Sequence, residues 1–190
     1  MISLFNLTHR FKRSMLEIAS SASSDLLWKI IDPRQKGKLP SNITFKVVAG
    51  KKAYDIIRLH QDIERFYSQK IIDILSQFVD MTDKCYPIKI EGIDEKYYVI
   101  HNLKTYPYLN RDEKLFMYDP RYYEIVDPSI PIFGIENTAF VMVSKDVKNA
   151  LLKNKVTNIE LVEEFGCSKE EYEMIKKSKF VPEVHVYRDK

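Results

Sequence analysis

A chain of 190 residues, 45% apolar and 12% aromatic, is long enough to bury a sizeable core and short for two full domains. Its five glycines, Gly37, Gly50, Gly92, Gly134 and Gly166, lie far apart, which excludes the glycine-rich loops that wrap phosphate in P-loop and dinucleotide folds. The net charge of +3 conceals an asymmetry: residues 1–60 carry 11 Lys and Arg against 4 Asp and Glu, while the remainder carries 19 against 23. A basic third suits an anionic partner, but spread over so long a segment it reads first as a solvated face.

In chain order, Met1-Ile2-Ser3-Leu4-Phe5 carries no basic residue ahead of its apolar part, so no leader peptide is expected. From Arg10 to Ile31 the apolar positions Phe11, Met15, Ile18, Ala19 and Ala22 keep a helical spacing, interrupted by Ser20-Ser21-Ala22-Ser23-Ser24 and restarted at Asp25 through Trp28. The stretch Pro33–Pro40 is the best loop candidate, and it closes an N-terminal helical segment. Ile43–Val48 and Tyr54–Leu59 read as strands.

Next comes a unit used twice, in which a short apolar run ends at a serine and an amphipathic helix follows. The first copy enters a helix over Gln69–Val79 behind Ser68, and the second enters Lys145–Asn154 behind Ser144. Each serine is placed to accept a hydrogen bond from a free N–H of the first turn, and Ile71 and Leu75, like Val147 and Leu151, then share one helix face. Between the copies, Tyr86–Glu91 and Lys96–Lys104 form a predicted hairpin, the second strand apolar on both faces and carrying His101. Thr105–Lys114 reads as a polar loop. Short strands are predicted at Leu115–Tyr118, Tyr122–Val126 and Pro131–Gly134, and a last one at Thr157–Glu163. Ser168-Lys169-Glu170-Glu171 is a capping box opening a helix over Lys169–Lys177, and an extended tail follows from Phe180.

Chemistry-bearing patterns are few. His9, His60, His101 and His185 stand at no metal-binding spacing, so no metal or cofactor is expected, and His101 reads as a hydrogen-bonded core imidazole. Cys85 and Cys167 belong to no CxxC pair and read as reduced thiols. No GxSxG elbow surrounds any serine. The carboxylate pairs Glu163-Glu164 and Glu170-Glu171 point to opposite sides of their backbone and read as solvated surface, and Tyr97-Tyr98 and Tyr122-Tyr123 read as packing. No run of roughly 18 apolar residues exists to span a membrane, so a cytoplasmic chain without a membrane partner is expected.

Residues 43–163 resemble the immunity proteins of bacterial polymorphic toxin systems, the families numbered eleven and forty-three. The resemblance is carried by Tyr67-Ser68 with Ile71 and Leu75, by Tyr86-Pro87-Ile88-Lys89-Ile90, by Tyr97-Tyr98-Val99-Ile100-His101-Asn102, by Ile132-Phe133, and by Val141-Met142-Val143-Ser144 with Val147 and Leu151. It implies a non-catalytic antitoxin that binds and occludes a cognate toxin domain. The expected fold is α+β: one domain over residues 1–190 built on a mostly antiparallel sheet, with Ser-capped amphipathic helices packed on it. Residues 1–40 form its helical segment and loop, 43–163 its immunity-like core, and 164–190 its C-terminal helix and tail.

The resemblance marks packing residues, so a partner surface must be drawn from composition. Aromatic anchors and acidic steering groups place it on Tyr106, Tyr108, Arg111, Asp112 and Glu113 together with an acidic ridge of Glu160, Glu163 and Glu164. Two other readings stay open: a nucleic-acid-binding module using the basic first third, and a small hydrolase centred on His101. The main reading carries no nucleic-acid partner, and the oligomeric state is left open.

Overall fold

The structure, a computed structural model, describes residues 1–23, 25–27, 43–61, 64–116 and 118–189. Strand outweighs helix, 37% to 17%, so the molecule is mainly β and the expected α+β arrangement is overturned. The elements run β1 (Ile2–His9), β2 (Glu17–Ser20), β3 (Thr44–Ala49), β4 (Ile56–Leu59), β5 (Arg65–Ser68), α1 (Gln69–Leu75), β6 (Cys85–Ile90), β7 (Tyr97–Ile100), β8 (Thr105–Tyr106), β9 (Tyr122–Glu124), β10 (Ile132–Ile135), β11 (Val141–Val143), α2 (Lys145–Lys153), β12 (Ile159–Cys167), α3 (Lys169–Ser178) and β13 (Val186–Arg188).

These strands make two sheets. Six close a small barrel in the order β2-β3-β6-β7-β5-β4, with parallel pairings between β3 and β6 and between β2 and β4. The other seven form a mixed sheet, β13-β12-β1-β11-β10-β8, in which β9 lies parallel to the C-terminal half of β12. Its centre is the antiparallel ladder of β1 and β12, running from Ile2 opposite Gly166 to His9 opposite Ile159. The first residues are thus a core strand.

Over residues 10–23 a turn and β2 stand where a helix was expected, whereas residues 25–27 are helical, at the point where the restart at Asp25 was expected. Met15 and Ile18, two of the residues that suggested a helix face, enter the barrel core, whereas Phe11 is 60% exposed. Ser20 Oγ accepts from the Ala22 N–H and holds a bend after β2, and Ser23 Oγ accepts from the Leu26 N–H at the start of the helical residues 25–27. Pairing with β3 and β4 fixes Glu17–Ser20 as strand. The Pro33–Pro40 loop, Trp28 and Ile31 lie outside the described residues. Leu115–Tyr118 is no strand among the described residues; the Asp119 carboxylate accepts from the Phe116 N–H at 2.7 Å and holds a turn instead.

The two serine–helix units meet in one core, which joins barrel to sheet: Ile71 and Leu75 of α1 and Val147 and Leu151 of α2 pack with Phe5, Leu7, Ile56 and Leu161. The serines differ in use. Ser144 accepts from the Val147 N–H, and Ser168 makes the full capping box with Glu171. The expected cap by the Ser68 hydroxyl does not form: that hydroxyl donates to Asp55 Oδ1 at 2.8 Å, and Asp55 Oδ2 accepts from Thr157 at the entrance of β12. Ser68 therefore ties the barrel to the sheet.

His9, ending β1, is held neutral. Burial, then the charges of Arg65 and Arg58, lower its pKa to about 4, against an ordinary value of 6.5. The unfolded chain therefore binds the extra proton first, and stability is lost as pH falls from 6.5 through about 4. Comparing His9→Leu with the parent by urea unfolding at pH 7 and pH 4.5 should show the parent losing about 2 kcal/mol more on acidification. Equal losses would assign the acid sensitivity elsewhere.

Candidate docking cleft

The loop after β8 is built by one buried side chain. Asn110, 3% exposed, donates through Nδ2 to the Pro120 carbonyl at 3.0 Å and accepts at Oδ1 from the Tyr122 N–H at 3.0 Å, clamping both ends of the 111–119 excursion. Opposite stands α3, whose capping box fixes its start and whose end passes through Lys179 in a left-handed conformation at φ 56°. The chain then turns into Phe180 and Val181.

Between loop and helix lies a cleft of about 350 Å³, its apolar lining made by Leu115, Tyr122, Tyr172, Ile175, Phe180 and Val181. The Tyr172 hydroxyl donates to Glu113 Oε1 at 2.5 Å, and the Tyr172 ring lies 5.2 Å from that of Tyr122. Lys176 sits over the Tyr172 ring at 5.4 Å and 3.8 Å from Glu113. Burial, reinforced by Glu113, drives the Tyr172 phenol far above its usual pKa, so it acts as a fixed hydrogen-bond donor.

Large apolar groups crowd this cleft and its loop. Phe116 is 81% exposed, Val181 72%, Phe180 56% and Tyr118 44%. Phe180 and Val181 line the cleft, while Phe116 and Tyr118 belong to the 111–119 loop that forms one of its walls; isolated exposed apolar residues are ordinary, but several on adjoining segments mark an interaction surface. No protein-family model matches this chain, and no curated protein matches it either.

Arg111, Asp112 and Glu113 are exposed on the loop. Glu160 pairs with Arg188 at 2.6 Å, and Arg188 also donates to the Tyr118 hydroxyl at 3.4 Å, so this carboxylate is linked to the same loop. The other four are not free surface groups. Tyr106 packs edge-on to Phe133 and Tyr108 to Tyr123, where burial pushes the Tyr108 phenol up to about 12. Glu163 and Glu164 do point to opposite faces of β12, yet neither is solvated. Glu163 is buried and pairs with His185 at 2.7 Å, and Glu164 is 1% exposed beside Asn6, Tyr123 and Arg121.

Sequence reasoning missed Phe116, Tyr118, Phe180 and Val181. A usable signal existed in Leu115-Phe116-Met117-Tyr118, an apolar run caught between Lys114 and Asp119-Pro120, too short and too tightly flanked by turn formers to be a paired strand. Near His101, the Cys85 thiol donates to the Met81 carbonyl at 3.2 Å and burial raises its pKa, which favours thiol over the thiolate a nucleophile needs.

Proposed function

We propose that this chain is a non-catalytic immunity protein of the cytoplasm, which binds a cognate toxin domain and occludes it. The family reading rests on the strand–serine–helix units and the Tyr97–Asn102 motif; the observation that carries binding is the aromatic cleft. Partly exposed rings above an apolar floor offer contact area at small entropic cost, and the surrounding Glu113, Asp119, Lys176 and Lys179 supply a polar rim. In this reading an apolar side chain of the toxin enters the cleft between Tyr172 and Phe180. No helix among the described residues is long and apolar enough to cross a membrane.

Co-expression with the toxin domain encoded beside this gene should restore growth and yield a stable complex. Phe116→Ala and Phe180→Ala should each weaken that complex by roughly 30-fold, the effect of an interface hot spot, with thermal unfolding unchanged. Tyr106→Ala and Tyr108→Ala should instead lower stability. Failure of every neighbouring toxin to be neutralised would end the immunity reading, and unchanged affinity in both phenylalanine variants would move the interface off this cleft.

A further inference from the structure

The sequence places His9-Arg10-Phe11-Lys12-Arg13 and Lys51-Lys52 about forty residues apart; the barrel puts them side by side. The N–H groups of Lys51 and Lys52 both donate to the Ser14 carbonyl, at 2.9 and 2.8 Å, and the Leu16 N–H donates to the Lys52 carbonyl at 3.1 Å. The Lys12 and Lys52 ammonium groups lie over one ring, that of Tyr54, at 4.9 and 4.8 Å, and the Tyr54 hydroxyl shares a hydrogen bond with Ser14 Oγ at 3.0 Å. Two like charges held on a single ring repel, and Arg10, Arg13 and Lys51 add to them.

Compensation is sparse. Lys12 pairs with Asp189 at 2.6 Å, and among the described residues no carboxylate forms a salt bridge with Arg10, Arg13, Lys51 or Lys52. Beside this rim, Phe11 is 60% exposed, one face of its ring covered by the Arg58 guanidinium at 4.9 Å. The other face can take a planar group. Arg58 itself is anchored by Glu17 at 2.5 Å, so the ring is propped in place.

We infer that this rim of the barrel binds single-stranded nucleic acid, with successive phosphates on Arg10, Arg13, Lys51 and Lys52 and a base stacked on Phe11. A cationic track beside an exposed ring matches an unpaired strand, whose bases present free faces; a duplex would leave the ring idle. None of these residues belongs to the cleft proposed for the toxin, so the two surfaces can fail independently.

Fluorescence anisotropy with fluorescein-labelled 12-nucleotide deoxythymidine and uridine strands tests it on the full chain. Saturable binding is expected at 50 mM NaCl, with roughly 20- to 50-fold loss at 200 mM if three or four phosphates are neutralised. Lys51→Glu with Lys52→Glu, and separately Arg10→Ala with Arg13→Ala, should weaken binding at least about tenfold, with unchanged circular dichroism. Phe11→Ala should weaken it about tenfold while leaving the salt slope intact. Absence of saturable binding at 50 mM NaCl, or insensitivity to both charge pairs, overturns the proposal. So does displacement of the strand by polyglutamate together with a silent Phe11→Ala, which would assign the rim to an acidic protein surface.

Discussion

Gly50→Ala should cost at least about 3 kcal/mol, a large share of the roughly 5–15 kcal/mol that holds a domain of this kind together. Gly50 has φ +76°, and a Cβ there would stand 1.8 Å from the Met15 carbonyl oxygen and 2.4 Å from its carbon. Both obstacles are backbone, so no rotamer change relieves them. Relief requires the turn between β3 and β4 to move away from Met15, which would break the bonds from the Lys51, Lys52 and Leu16 N–H groups that close this side of the barrel. Met15 is itself 1% exposed and packed in the barrel core, so the displacement would propagate inward. Gly92 supplies the control. Its φ is +74°, yet nothing lies within 4 Å of its missing Cβ, so Gly92→Ala should cost only the left-handed backbone penalty of about 1 kcal/mol. Urea unfolding followed by circular dichroism separates the two. Equal costs would mean that backbone conformation alone decides, and that the close approach at Gly50 is not a constraint.

The pairings that decide this architecture are non-local, and that is where sequence patterns gave out. Local signals located β3, β4, the β6–β7 hairpin, both serine–helix units and the Ser168 capping box, because each depends on neighbours within a few positions. The central ladder joins Ile2–His9 to residues 159–166, and barrel closure needs parallel contacts of β2 with β4 and β3 with β6. No local alternation announces β1: Leu4 packs on one side of the sheet and Phe5 and Leu7 on the other, so it is apolar on both faces. The segment after it shows the opposite error, since Met15 and Ile18 satisfy a helical spacing equally well while entering a barrel. At the cleft, Arg111, Asp112 and Glu113 were legible as an exposed polar loop. The exposed rings were not, because Phe116 and Tyr118 look like strand residues and Phe180 like tail.

Glu164 is the sharpest case, since composition made it a surface contact and the structure makes it a buried acceptor. Tyr123 Oη donates to its Oε2, Asn6 Nδ2 donates to its Oε1 at 3.3 Å, and Arg121 Nη1 lies 3.5 Å from the same oxygen. Burial raises its pKa, with the Tyr123 hydroxyl, Arg121 and Asn6 pulling the other way. Glu164→Leu fills the space but strands a Tyr123 hydroxyl that is fully buried and an Asn6 amide that is 6% exposed, so a loss of about 3–5 kcal/mol is expected. Glu164→Gln keeps an acceptor oxygen and should lose about 1 kcal/mol. The pH dependence has a definite sign. A carboxyl whose folded pKa lies above its unfolded value holds its proton longer in the native state, so its contribution falls as pH rises from the unfolded value through the folded one. The parent's advantage over Glu164→Gln should therefore be larger at pH 4.5 than at pH 7. If Glu164→Leu instead unfolded like the parent while toxin binding disappeared, Glu164 would be a contact residue after all, and the strand β12 would have to turn that face toward the partner.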